Sequence, residues 1–167
     1  MTKAFPVDKL AEHISQHFPQ AILEATDTCV YLRPDDLRQV ASYLKEAPGL
    51  EFNYLVAVTG VDYLDYFELI YHLLSMTNNR SAVLKVKVYG REEPTVPSLV
   101  PLWKGADLQE REVYDLMGIH FEGHPNQKRI FLWDEFPGHP LRKDFWYQNP
   151  SIGSRWYQTT QNDAAQD

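Results

Sequence analysis

Phe67-Glu68-Leu69-Ile70-Tyr71-His72-Leu73-Leu74 and Ser81-Ala82-Val83-Leu84-Lys85-Val86-Lys87-Val88-Tyr89 are two apolar runs flanking Thr77-Asn78-Asn79-Arg80. They predict a β-hairpin with a short polar turn. In the second run Lys85 and Lys87 alternate with Leu84, Val86 and Val88, so one face of the sheet is wet and the other dry. Just upstream, Asn53 to Thr59 is mostly apolar and β-branched, which predicts a strand buried on both faces.

Helical and turn signals surround this hairpin. Val7, Leu10, Ala11, Ile14 and Phe18 keep helical spacing until Pro19 stops it. Ala21 to Ala25 and Thr28 to Leu32 read as short strands about a Thr26-Asp27 turn. Pro34 stands where an N1 proline would, ahead of a stripe of Leu37, Val40, Ala41 and Leu44, and Gly49 follows as the expected C-terminal cap. A third helix runs from about Lys104 to Met117 and ends at Gly118. The fold class is therefore α+β, a two-layer mixed β-sheet covered by helices in the order α-β-β-α-β-β-β-α. It occupies residues 1–118.

The texture then changes. Seven of the eleven prolines fall between Pro94 and Pro150, and from Ile119 to Asp167 no period of 3.6 or 2 is sustained. Aromatics persist there: Trp133, Phe136, Phe145, Trp146 and Trp156. A long irregular segment in a compact domain is uncommon unless function or a partner orders it, and a disordered tail would lack such residues. Residues 119–167 are read as an extended arm lying on a partner, with a polar, loose end from Gln158 to Asp167.

Composition narrows the function. The 167 residues are 44% hydrophobic, with 16 Lys plus Arg against 23 Asp plus Glu, a formal charge of -7. That balance argues against nucleic acid or an anionic membrane as the main partner. Cys29 alone closes no internal disulfide and cannot by itself hold an iron–sulfur cluster or a thiolate zinc site. No signal-peptide pattern is visible at Met1 to Phe18, and the longest apolar run is far short of a membrane span. A reducing cytosolic compartment is expected, with membrane contact only through a partner. The acidity belongs mostly to residues 1–100, with 9 basic and 13 acidic side chains, while 120–146 carries 4 of each.

Three groups could carry chemistry. Trp103, Ala106, Glu110, Val113, Tyr114 and Met117 share one helical face, which sets a carboxylate in an apolar stripe where it must find a partner. Glu110 is either a catalytic acid or proton relay, or a structural acid pinning the following loop. The structural alternative is favoured, because ion-pair networks often mimic sites. Asp107, Arg111 and Asp115 form an i, i+4 ladder on another face. His120, Glu122 and His124 alternate and could hold zinc or iron with His139 or Asp134, although no established ligand spacing supports it and backbone hydrogen bonding is the simpler role. The arm's Lys128, Arg129, Arg142 and Lys143 suit capture of carboxylates on a neighbouring chain. No glycine-rich phosphate loop and no G-x-S-x-G occurs.

Longer patterns add to this. Glu110-Arg111-Glu112-Val113-Tyr114-Asp115-Leu116-Met117-Gly118-Ile119, Gly123-His124-Pro125, Lys128-Arg129-Ile130 and Gly138-His139-Pro140-Leu141-Arg142-Lys143-Asp144-Phe145 follow one another in order. Together they strongly resemble the C subunit of respiratory complex I, the proton-pumping NADH:quinone oxidoreductase, a family that includes the mitochondrial 30 kDa-class subunit. The resemblance runs from Thr59-Gly60-Val61-Asp62 to Phe145, with Trp103 and Ala106 in place. Gln127 departs from the apolar residue usual in the family.

The resemblance implies a non-catalytic component of the hydrophilic arm, whose tail embraces the D subunit and neighbouring peripheral-arm subunits. Catalytic and metal residues are expected to be none in this chain. Flavin, iron–sulfur clusters and quinone are expected in partner subunits. It implies a peripheral place on the cytoplasmic side of the cell inner membrane. The motif positions Glu110, Arg111, Glu112, Tyr114, Asp115, Gly118, His124, Pro125, Arg129, Gly138, His139, Pro140, Arg142, Lys143 and Asp144 are the interface candidates. The alternatives are the equivalent subunit of a ferredoxin-linked photosynthetic complex or membrane-bound hydrogenase, and, more remotely, a free metal enzyme using His120, His124 and His139. Gly138-His139-Pro140 leans toward the respiratory form, since photosynthetic relatives tend to place Trp at its centre.

Overall fold

The computed structural model describes residues 2–146. The expected aromatic Trp156 and the polar end from Gln158 to Asp167 lie outside them. The long hairpin is the centre of the molecule: β5 (Tyr66–Ser75) and β6 (Arg80–Tyr89) pair antiparallel without a break from Tyr66↔Tyr89 to Ser75↔Arg80. Asn79 takes the left-handed conformation at the turn (φ 52°), which asparagine tolerates better than most side chains. Around the hairpin stand β1 (Lys3–Ala4), β2 (Ile22–Ala25), β3 (Val30–Leu32) and β4 (Tyr54–Asp62), giving a mixed sheet ordered β2-β3-β6-β5-β4, with β1 beside β6. β3 and β1 run parallel to β6 and the remaining pairs are antiparallel.

The period-2 pattern decides which face is buried. Phe67, Leu69, Tyr71 and Leu73 stand opposite Val88, Val86, Leu84 and Ala82, and all eight are buried. Helices α1 (Val7–His17), α2 (Leu37–Glu46) and α3 (Ala106–Met117) supply Leu10, Ile14, Leu37, Val40, Leu44, Val113 and Met117 to the same core. α3 lies closest to β4, at Gly60, where an added Cβ would stand 2.5 Å from Met117 Sδ and 3.2 Å from Val113 Cγ1. On the other face Lys85 crosses to Glu68 at 2.8 Å, and Tyr31 donates its hydroxyl to the same carboxylate at 3.0 Å.

Several expectations are corrected. β4 is not buried on both faces: it is the edge of the sheet, so Leu55 and Val58 are buried while Tyr54 and Val56 are exposed. Gly49 does not cap α2. The helix ends at Ala47, held extended (ψ 130°) by the clash that Pro48 imposes on its preceding residue, and Gly49 makes the next turn at φ 83°. β1, β7 (Thr95–Pro97) and β8 (His120–Glu122) add to the expected element order; two or three residues are too few to show a period. β7 and β8 form a second, parallel pair. Gly118 does end α3, in the left-handed conformation (φ 74°), with its N–H on Tyr114 O at 2.8 Å. The chain past it stays on the domain, since Ile119 and Phe121 are core residues.

Candidate functional site

Two buried aspartates hold the arm: Asp115 accepts four donors from it, and Asp62 accepts the Lys143 N–H. Asp115, near the end of α3, is fully buried. Its Oδ2 accepts the consecutive N–H groups of Ile130, Phe131 and Leu132 at 3.0, 2.8 and 2.9 Å, and its Oδ1 accepts from Arg129 Nη1 at 2.8 Å. Arg129 Nη2 reaches the carbonyls of Phe136 and Gly138 at 3.0 and 3.1 Å, closing the loop between them. Burial pushes the Asp115 carboxyl up, but the three N–H groups and the guanidinium outweigh it and hold it near about 2.

Asp62, at the end of β4, is the second anchor. It accepts Arg91 Nη1 and Nη2 at 2.9 and 2.7 Å, and the N–H groups of Leu64 and Lys143 at 2.7 and 2.8 Å. The Arg91 fork, with these two N–H groups, holds Asp62 at about 2 against its burial. Arg91 Nε also meets Asp144 at 2.8 Å. Arg142 chelates Asp144 through Nε and Nη2 (3.0 and 3.1 Å), and its Nη2 donates to Arg91 O at 2.8 Å. Both guanidiniums lie over the Phe67 ring, 4.7 and 5.2 Å from its centre. Arg142, expected to meet a partner's carboxylate, meets Asp144 of its own chain.

Between the anchors, His139 packs over Gly118 and its Nδ1 lies 2.9 Å from Asp115 O. A carbonyl only accepts, so Nδ1 carries the proton. Tyr114 stands between His120 and His139, 5.3 and 6.0 Å from their ring centres. Leu141 N–H closes on Leu116 O at 3.0 Å, and Glu112 and Leu141 line a groove of about 170 Å³ beside Gly60. Gly138 (φ 97°) lets Phe145 approach, since a Cβ there would stand 2.9 Å from its ring. Pro125 is exposed and Pro140 half-buried.

Glu110 is fully buried, as its place in the apolar stripe implies, but it pins the preceding loop rather than the following one. Ser98 Oγ and Leu99 N–H meet its carboxylate at 2.6 and 2.7 Å. Burial raises its pKa to about 7. Asp115 pins the following loop instead, so the expected Asp107–Arg111–Asp115 ladder does not form: Arg111 donates to the carbonyls of Lys128 and Arg129.

The histidines diverge. His124 takes the N–H of Asn126 on Nδ1 (3.0 Å) and sets Nε2 3.2 Å from Asp107 O and 3.4 Å from its Oδ1, while His120 neighbours Gln127. Among the described residues no three His, Cys, Asp or Glu side chains gather as a metal-ligand set.

What this arrangement presents outward is apolar. With the backbone of 130–132 turned inward onto Asp115, Phe131 and Trp133 are left 63% and 57% exposed, and past Gly138 so are Leu141 (59%) and Trp146 (65%). Sequence reasoning did not single out Arg91 and Ser98. Arg91 lies 53 residues from Asp144, and Ser98 is a lone serine in a proline-rich stretch that shows no period.

Comparison with known proteins agrees with this frame. The C subunit of NADH-quinone oxidoreductase from Roseiflexus sp. (strain RS-1) is 45% identical over 140 residues, covering 80% of each chain. The protein of that name from Moorella thermoacetica is 43% identical over 143 residues, covering 83% of this chain and 95% of its own. A probable mitochondrial 30.4 kDa subunit of NADH-ubiquinone oxidoreductase from Candida maltosa is 43% identical over 119 residues, 70% of this chain and 42% of its own. The fold is shared with a chain of the membrane-bound sulfane sulfur reductase, an archaeal respiratory membrane complex, at a TM-score of 0.67 and 22% identity, covering 96% of this chain and 92% of that one. Among the described residues no helix is long and apolar enough to cross a membrane. Residues 30–151, which carry both aspartate anchors and the arm they hold, match the family model of the respiratory-chain NADH dehydrogenase 30 kDa subunit, and the chain belongs to that family.

Proposed function

We propose that this chain is a supporting component of a proton-translocating NADH:quinone oxidoreductase, peripheral on the cytoplasmic side of the inner membrane. It holds the D subunit and its neighbours in the geometry that electron transfer to quinone requires. Catalytic residues, flavin, iron–sulfur clusters and quinone belong to the partners. The observation that carries this is the two-sided arm. Asp115 and Asp62 take its backbone and cations inward, and Phe131, Trp133, Leu141 and Trp146 face out. A row of large apolar side chains on a pinned backbone is a pre-ordered docking surface, and pre-ordering lowers the entropic cost of binding.

The test is a double substitution of the outward residues, Phe131→Ser with Leu141→Ser, expressed in the host in place of the natural chain. Exposed positions carry little fold stability, about 0.5 kcal/mol each. The variant is expected to melt as the natural chain does, yet fail to co-purify with the flavin- and iron–sulfur-bearing chains. Normal incorporation would overturn the proposal. Cutting the chain after Gly118 is a poorer test, because it removes the core residues Ile119 and Phe121.

A further inference from the structure

At the end of β6 away from Arg91, the N-terminal edge of the sheet carries an unmatched positive site. Lys3 on β1, Lys9 and His13 on successive turns of α1, and Arg80 at the start of β6 line one open cavity of about 510 Å³, with Phe5 and Leu50 among its apolar walls. No Asp or Glu lines it. Four other cations, Lys85, Arg91, Arg129 and Arg142, each meet a carboxylate within 3.0 Å. Among the described residues, Lys3, Lys9 and Arg80 form no ion pair, and Arg80 rests over the Phe5 ring at 5.3 Å.

The backbone at this edge is open as well. Lys3 N–H donates to Asn79 O at 3.0 Å and Phe5 N–H to Ser81 O at 2.7 Å. The residue between them, Ala4, therefore turns its own N–H and C=O away from β6, on a strand that no further strand covers among the described residues. Ala4 also lines the cavity. Beside it α1 starts at Val7, after Pro6, with no capping side chain, and Asp8 in its first turn offsets the partial positive charge of that end. A cradle for a free phosphate would need several converging N–H groups. An open strand edge between spaced cations instead suits an extended polypeptide that adds a strand and sets carboxylates on the lysines and arginine.

The geometry points to a binding site for an extended, carboxylate-rich peptide segment on β1, with Ala4 pairing its backbone and Lys3, Lys9 and Arg80 pairing its side chains. Most of the site precedes residue 30, where the family match begins, and it stands independently of the assembly role proposed above.

The test is a nitrogen-15 NMR titration of the full chain with hexaglutamate at low salt, about 50 mM, where such pairs are least screened. Shifts are expected at Lys3 to Phe5, Lys9, Leu50 and Arg80. Lys9→Glu with Arg80→Glu should weaken binding by about tenfold or more, whereas the remote Lys104→Glu with Lys128→Glu, of equal net charge, should stay within about twofold. Ala4→Pro, which removes the free edge N–H and spares both bonds to β6, should weaken hexaglutamate and leave inorganic phosphate unaffected. Equal weakening by the two charge-reversed pairs would overturn the site, as would displacement of hexaglutamate by phosphate at similar concentration. So would capture by phosphatidylglycerol vesicles through Lys9 and Arg80 without any hexaglutamate shift.

Discussion

His139 lies against Gly118, the residue that ends α3: an added Cβ at 118 would stand 2.5 Å from His139 Cδ2 and 2.8 Å from its Nε2. The contact joins the helix terminator to the second half of the arm, so the glycine serves two needs. It adopts φ 74°, and it leaves room for an imidazole whose Nδ1 donates to Asp115 O at 2.9 Å.

Gly118→Ala should therefore cost more than backbone strain alone. A residue forced to positive φ costs about 1 kcal/mol, and displacing His139 adds a comparable amount, for about 2–3 kcal/mol in total. In a His139→Ala background the same change should cost only the strain. Urea unfolding of the four proteins measures the difference, and additive costs would show that the two residues act separately.

Removing Asp115 should be among the most damaging single changes in the chain. Asp115→Ala strands the Arg129 guanidinium and three N–H groups at once, and breaking one side of a buried pair costs about 3–5 kcal/mol. Hydrogen exchange should show residues 129–133 losing protection while the β5–β6 amides keep theirs. Uniform loss would mean that the arm and sheet open as one unit.

How far the sequence reveals this depends on distance along the chain. The β5–β6 hairpin was legible because ten-residue strands show their period plainly. Glu110 was legible as a buried acid because helical spacing sets it in an apolar stripe. Its partners were not, since Ser98 and Leu99 lie 12 and 11 residues back across a turn. Asp115 read as one rung of a helical ladder because its i−4 neighbour is an arginine. Its actual partner, Arg129, sits 14 residues on, where no local rule reaches. Of the arm's aromatics Trp133 and Trp146 are exposed while Phe136 and Phe145 are half-buried, and nothing local showed that Asp62 and Asp115 would hold the backbone beneath them.

Arg91 and Arg142 look equivalent over Phe67 but should differ on substitution. Arg91 satisfies Asp62, which is buried, so Arg91→Ala leaves an unpaired buried carboxylate, at about 3–5 kcal/mol. Arg142 pairs with the half-exposed Asp144, so Arg142→Ala should cost only about 1 kcal/mol. Thermal melts of the two variants check the order, and the reverse order would place the main anchor at Asp144.

Acid should loosen the arm. Asp62 and Asp115 titrate near about 2 in the folded chain against an ordinary 3.8. Each therefore contributes stability that is present above about pH 4 and lost as pH falls toward 2, about 2 kcal/mol apiece. Asp115→Asn should flatten this part of the profile, read from urea midpoints between pH 5 and pH 2, and an unchanged slope would mean that the aspartate is not paired in solution.

Glu110 should act in the opposite sense and in a different window. Its folded value of about 7 lies above the ordinary 4.5, because burial disfavours the charge more than Ser98 and Leu99 favour it. Below pH 4.5 the carboxyl is protonated both folded and unfolded and has no differential effect. From there to pH 7 the unfolded chain ionises first and the folded state loses ground, by about 3 kcal/mol once both are ionised. Glu110→Gln keeps an acceptor for Leu99 N–H and offers a donor to Ser98 Oγ, without the charge. It should match the natural chain near pH 4.5 and exceed it in stability near pH 8. Urea unfolding at the two values decides the matter: a constant gap between the proteins would show that the folded state carries Glu110 ionised at no cost, with the Ser98 and Leu99 bonds offsetting its burial in full.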